Sequence, residues 1–128
     1  LEDWRRRTGL AVSHVRRASN LGFPGNCNAA FDETGDADLV LLNADTEPAG
    51  DWLRRLAACA ASDPRIATAT PWSNNGEIVS FPRFVSPNPL PDDAEALALA
   101  ATRHAPSYPE LPTAVGFCMY LRRAALRA

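Results

Sequence analysis

The chain has 128 residues, of which 46% are apolar and 22% charged; this composition calls for one packed domain with one core, not a disordered segment. A net charge of −2 and a pI near 5.6 argue against nucleic acid as a partner bound through a basic surface. No apolar run approaches the roughly 18–20 residues that cross a bilayer, and residues 1–7 have no apolar stretch after their charges, so they are not a secretory signal.

The missing initiator Met is expected of a chain that begins inside a longer reading frame. All 13 basic residues are Arg and Ala is frequent, which reflects GC-rich, bacterial coding and not mechanism. Cys27, Cys59 and Cys118 lie far apart and form no Cys-x-x-Cys pair, which excludes a zinc or thioredoxin-type motif. Unpaired cysteines fit a reduced, cytoplasmic compartment. His14 and His104 have no partner spacing and read as ordinary surface or strand residues.

In chain order, residues 1–8 read as the end of a helix, with Leu1 and Trp4 on one side and Gly9 as its stop. Residues 10–17 alternate well enough for a short strand through Leu10, Val12 and Val15. The turn-rich stretch from Asn20 runs into a helix whose first turn suits Pro24 and which continues to about Gly35. Residues 37–42 are a continuous apolar run, the pattern of a parallel strand covered on both faces. A helix is predicted over 49–61, with Trp52, Leu53, Leu56 and Ala60 on one stripe and Asp63-Pro64 as its end. Residues 66–70 are a short strand and 73–76 a loop. Residues 77–85 are β-prone but interrupted by Pro82, and 86–91 form an extended connector. Asp92 and Glu95 fit a capping box opening a helix to about His104. Residues 113–121 are a strand, and Arg122 begins a last helix. Strands alternating with helices predict an α/β layer fold with a mainly parallel sheet, whose ligands collect at the carboxyl ends of strands.

Two such ends carry polar clusters. Asn43-Ala44-Asp45 follows the apolar strand, and alternation places Asn43 and Asp45 on the same side. A hard divalent cation takes oxygen ligands, often one or two carboxylates plus substrate phosphates. The same residue types also form turns and cap helices. Ser73-Asn74-Asn75-Gly76 offers hydroxyl and amide groups suited to sugar hydroxyls, or forms an ordinary turn. Trp52 and Trp72 could stack on a sugar ring; Trp52, on its apolar stripe, reads as core. The Gly- and Asn-rich stretch 20–28 could face an anion with backbone N–H groups, although it matches neither the Walker loop nor the dinucleotide fingerprint. Gly116, inside an apolar strand, permits close approach of a ligand or of another backbone.

Taken in order, Asn20-Leu21-Gly22-Phe23, Asn28, Leu41-Leu42-Asn43-Ala44-Asp45-Thr46, Trp52-Leu53-Arg54-Arg55-Leu56, Asp63-Pro64-Arg65-Ile66, Pro71-Trp72-Ser73-Asn74-Asn75-Gly76 and residues 113–123 resemble the family-2 glycosyltransferases. The nearest likeness is to bacterial members that build O-antigen and related surface glycans. The resemblance implies a GT-A fold, a Rossmann-like sheet that binds a nucleotide-diphosphate sugar. It places Asp45 at the metal-binding aspartate of the Asp-x-Asp motif, with Mg²⁺ or Mn²⁺ as cofactor, and Asn43 in place of the first aspartate. It assigns Asn20, Gly22, Asn28, Asn43, Asp45 and Gly116 to the nucleotide sugar, and Trp72, Ser73, Asn74 and Asn75 to the sugar or acceptor. Cys27 stands where many members carry an Arg that pairs with phosphate.

The implied partners are a nucleotide-diphosphate sugar donor and a glycan or lipid-linked acceptor, with no nucleic acid. Peripheral association of the full-length protein with the inner face of the membrane is a further implication. The family's first two strands, which hold base and ribose, find no match here, and its general base is expected beyond Ala128. The chain therefore reads as a central part of a catalytic domain, and an unpaired strand edge would invite self-association. A different reading is a non-catalytic α/β module that binds a nucleotide or glycan, or only supports assembly. A nucleotidyltransferase is disfavoured by the absence of Lys as a phosphate-binding point charge.

Overall fold

The computed structural model describes residues 2–127, which fall into two compact units, divided between residues 32 and 33. In the first, helix α1 (Glu2–Thr8) ends as expected: Gly9 takes φ +68°, and its N–H donates to the Arg5 carbonyl at 2.9 Å. The side expected for Leu1 lies outside the described residues. The strand expected over 10–17 does not form; these residues have no regular structure, and Leu10 and Val15 are exposed. Their apolar spacing slips from the two-residue period at Val15, and no strand pairs with them among the described residues.

Helix α2 (Gly22–Glu33) begins two residues before Pro24. The Gly22 N–H donates to Asn20 Oδ1 at 2.8 Å, and Gly22 holds φ +66°, a conformation that strains any residue with a Cβ.

The second unit is built on three strands, β1 (Leu39–Leu42), β2 (Thr68–Ala69) and β3 (Cys118–Leu121), in the order β1-β3-β2. Both pairings are antiparallel: Leu42 faces Cys118 across β1 and β3, and Ala69 faces Tyr120 across β2 and β3. The α/β class holds, but the described strands do not form the mainly parallel sheet expected from the alternation. β1 and β2 run in the same direction, joined through helix α3 (Trp52–Ser62), yet they are not neighbours. β3 inserts between them from late in the chain and opposes both. Local sequence pattern marks where the three paired strands lie, but not their direction or neighbours.

α3 packs its Trp52, Leu56 and Ala60 stripe inward, and Leu56 joins Ala69 and Cys118 in the core. Val40, Trp52, Cys59, Phe117 and Tyr120 pack around that cluster. Trp52 is therefore a packing residue. Leu53, placed on the same stripe by periodicity, is 48% exposed. β1 is also not covered on both faces: Leu39 to Leu41 are half-buried and Leu42 is 44% exposed.

The β-prone residues 77–85 form a short 3₁₀ turn (Glu77–Val79) and one bridge between Ser73 and Ser80, not a strand. Helix α4 (Ala94–His104) is capped by Asp93, whose Oδ1 accepts the Ala96 N–H at 3.0 Å; the expected cap was Asp92. With the frame shifted by one, Glu95 cannot close a capping box. Its Oε1 instead accepts the Gly50 N–H at 3.0 Å, just before α3.

At the far end of the sheet, β3 leads into helix α5 (Arg123–Leu126). Asp38 clasps this end, accepting the Arg123 N–H at 2.8 Å and the Tyr120 hydroxyl at 2.7 Å.

Candidate functional site

The other end of the sheet collects the carboxyl ends of β1 and β2 and the start of β3. β1 stops at Leu42, where the sequence turns polar. The Asn43 N–H still donates to the Phe117 carbonyl at 2.9 Å, one residue beyond the strand register. The Thr46 N–H then donates to the Asn43 carbonyl at 3.2 Å, closing a turn over residues 43–46. This corrects the alternation argument: Asn43 and Asp45 do not lie two apart on an extended strand. They sit in a tight turn, which their short polar side chains favour. Nor does either cap α3, whose N-cap is Asp51. Asn43 and Asp45 are exposed, and the Asp45 carboxylate has no hydrogen-bond or ion-pair partner among the described residues.

Gly116 is brought beside this turn. The Thr46 hydroxyl reaches the Phe117 carbonyl at 3.4 Å, so residues 43–46 rest on the turn that opens β3. A Cβ added at Gly116 would meet nothing within 4 Å. No described part of the protein needs a glycine there, and the space above it is open to a ligand.

The loop after β2 approaches the same turn. A Cβ at Gly76 would stand 3.1 Å from the Phe117 ring and 2.8 Å from Val79 Cγ2, so only a glycine lets the loop pack so closely. The polar groups singled out in this loop are largely spent on holding it. Ser73 pairs through its backbone with Val79 and Phe81, and its Oγ accepts the Asn75 N–H at 3.3 Å. Asn74 Nδ2 donates to the Asn88 carbonyl at 3.3 Å. Trp72 is half-buried, edge-to-face with Phe84 at 5.4 Å. Asn75 is exposed.

Asn20, Gly22 and Asn28 lie in the first unit. The Asn20 side chain is engaged with the start of α2, and Asn28 is exposed on that helix.

Sequence reasoning missed two residues that shape this end. Thr70 bonds the turn opening β3, and Asn88 organises the connector that follows the loop. An Asn flanked by prolines was the one available signal for Asn88; Thr70 carried none.

Among the described residues, no group of three or more His, Cys, Asp or Glu side chains forms a metal cage. A hard cation that keeps waters and substrate oxygens needs only one or two protein carboxylates. An exposed, unpartnered Asp45 fits that requirement, and Asn43 adds a neutral oxygen on the same turn. A cleft of about 250 Å³ lies elsewhere, between Arg65 and Arg122, and another lies against Arg5 and Arg6; neither is lined by a predicted site residue.

The family model described as glycosyl transferase family 2 matches residues 1–128. The chain belongs to glycosyl transferase family 2. No curated protein and no solved structure matches it. Membership makes this a glycosyltransferase of the nucleotide-sugar type, whose substrates are a nucleotide-sugar donor and an acceptor, and it implies the Rossmann-like GT-A fold. In this glycosyltransferase, the turn 43–46 and the turn opening β3 meet at the carboxyl ends of β1 and β2, the end at which α/β sheets bind ligands.

Proposed function

We propose that this family-2 glycosyltransferase transfers a sugar, with inversion, from a nucleotide-diphosphate donor to a glycan or lipid-linked acceptor. Asp45 would hold a Mg²⁺ or Mn²⁺ ion against the donor diphosphate. The observation that carries this reading is the exposed, unpartnered Asp45 on a turn braced against the Gly116 turn. Asn43 accepts a hydrogen bond from a ribose or sugar hydroxyl, and the open space over Gly116 admits the donor.

In the transfer, the acceptor oxygen forms a bond to the anomeric carbon as the bond from that carbon to the diphosphate breaks. The nucleoside diphosphate leaves with the electron pair, and a carboxylate takes the acceptor proton. The divalent ion, when bound, neutralises charge on the diphosphate. Asp45 positions that charge, and the loop carrying Trp72, Ser73, Asn74 and Asn75 borders the sugar or acceptor. No residue of this chain is assigned as the base. The chemistry suits bacterial surface-polysaccharide assembly in the cytoplasm, at the inner face of the membrane.

The test is calorimetry of the intact protein with UDP, dTDP and GDP, each with and without Mn²⁺, followed by turnover with the matching nucleotide sugars. One nucleotide should bind in a metal-dependent way. Asp45→Asn, similar in size but uncharged, should lower turnover by about 100-fold or more, since metal charge stabilisation is worth several kcal/mol. Undiminished turnover in that variant removes Asp45 from the mechanism. Binding of none of the three nucleotides points to the non-catalytic module.

A further inference from the structure

The turn that opens β3 is held from two sides. From β1, the Asn43 N–H and the Thr46 hydroxyl both reach the Phe117 carbonyl, at 2.9 and 3.4 Å. From β2, one atom does the work: Thr70 Oγ1 lies 3.0 Å from the Cys118 carbonyl and 3.2 Å from the Val115 carbonyl, and accepts the Val115 N–H at 3.3 Å. Both ends of the segment 115–118 are thus tied to a single hydroxyl. Between them lie Gly116, open to the outside, and Phe117, whose ring abuts Gly76. The segment is the shared support of the turn bearing Asp45 and of the loop bearing residues 73–76.

We infer that Thr70 is a positioning residue for donor binding: its hydroxyl fixes the segment 115–118, and through the Phe117 carbonyl it sets where Asn43 and Asp45 stand. This rests on the proposed function. Thr70 is half-buried and its hydroxyl is spent on three backbone groups, so its action on the donor passes through the turn. The hydroxyl has one proton and two carbonyls within reach, so it alternates between them while accepting the Val115 N–H. Valine keeps the branched shape and removes the hydroxyl. Serine keeps the hydroxyl and removes the methyl.

The experiment compares Thr70→Val and Thr70→Ser in the intact protein, reading amide hydrogen exchange, melting temperature and the affinity for whichever of UDP, dTDP or GDP the wild type binds with Mn²⁺. Losing a hydrogen bond to a half-buried backbone group should speed exchange at the Val115 and Asn43 amides about tenfold in Thr70→Val, and weaken nucleotide affinity by about the same factor. Thr70→Ser should restore both. An unchanged Asn43 amide overturns the inference, as does faster exchange with unchanged affinity, which would mark the hydroxyl as structural only. A serine variant as impaired as the valine variant also overturns it, because the methyl would then be the agent. If the wild type binds no nucleotide, the proposed function falls and the positioning role falls with it. If the wild type binds and Thr70→Val binds equally well, the positioning role alone falls.

Discussion

Replacing Asn88 by Ala should cost about 3 kcal/mol, from roughly three lost hydrogen bonds at about 1 kcal/mol net each. Asn88 is only 8% exposed, and its side chain ties the connector to Arg83 and to Asn74 of the preceding loop. Oδ1 accepts the Arg83 N–H at 3.1 Å and the Arg83 Nε–H at 3.3 Å. Nδ2 donates to the carbonyls of Arg83 and Ser86 at 3.0 Å each, and of Asn74 at 3.2 Å. Two amide hydrogens serve three carbonyls, so the full set is worth nearer three bonds than five. The backbone pairing of Asn88 N–H with the Asn74 carbonyl, at 2.8 Å, survives the substitution. Against a usual total of about 5–15 kcal/mol, the loss is large. At roughly 4 °C per kcal/mol for a chain of this size, the melting temperature should fall by about 10 °C. Circular dichroism melts and urea titrations would measure it. Asn88→Asp sharpens the test. It keeps the shape but turns an acceptor-only carboxylate toward three carbonyls, so it should be at least as damaging at pH 7. It should recover partly in acid, where a protonated carboxyl regains one donor. A loss below about 0.5 kcal/mol in both variants would refute the assignment of Asn88 as the organiser of this loop, since that is the range of an ordinary surface change.

Asp38 is held below the ordinary aspartate value of 3.8, first by the Arg123 N–H and then by the Tyr120 hydroxyl. A lowered carboxyl contributes stability above its unfolded value and loses it as pH falls through its folded value. The deficit of Asp38→Asn, at most about 1 kcal/mol for so exposed a group, should therefore be full at pH 7 and shrink below about pH 4; a pH-independent deficit would count against the clasp. Two glycines should separate in opposite ways. Gly76→Ala drives a methyl into buried Val79 at 2.8 Å and should destabilise by about 1–3 kcal/mol in a denaturation assay. Gly116→Ala meets nothing within 4 Å and should leave the melting temperature near wild type while weakening nucleotide binding in calorimetry. The reverse pattern would mean that the close contact lies at Gly116.

Helices were the most legible part of the fold. Trp52, Leu56 and Ala60 recur with helical period and do face the core, because a helix of this length repeats its buried face whatever it packs on. Leu53 shows where the pattern overreaches: the stripe is wider than the surface that β2 and β3 offer. The polar stretch after Leu42 was legible as a strand end, and only the resemblance implies a metal-binding role for Asp45 there. The form of that stretch was not legible, because Asn and Asp serve equally in extended and turned backbone until a partner such as the Phe117 carbonyl selects one. Glu95 illustrates the same limit. Its spacing from Asp92 fitted a capping box, but a one-residue shift in the helix start sent it to the Gly50 N–H.

By itself the amino-acid order determined the helices and the three strands of the sheet, the inward face of α3 and the family to which the chain is similar, since each is written in short-range periodicity or in ordered motifs. Only the tertiary structure decided that β3 runs against both β1 and β2, that the residue-43 and residue-116 turns share one carbonyl, and that Thr70 and Asn88 hold the loops around them. Those contacts join residues some 14 to 82 positions apart. Their geometry comes from which backbone groups remain unsatisfied once the sheet has formed, a quantity that no local pattern contains.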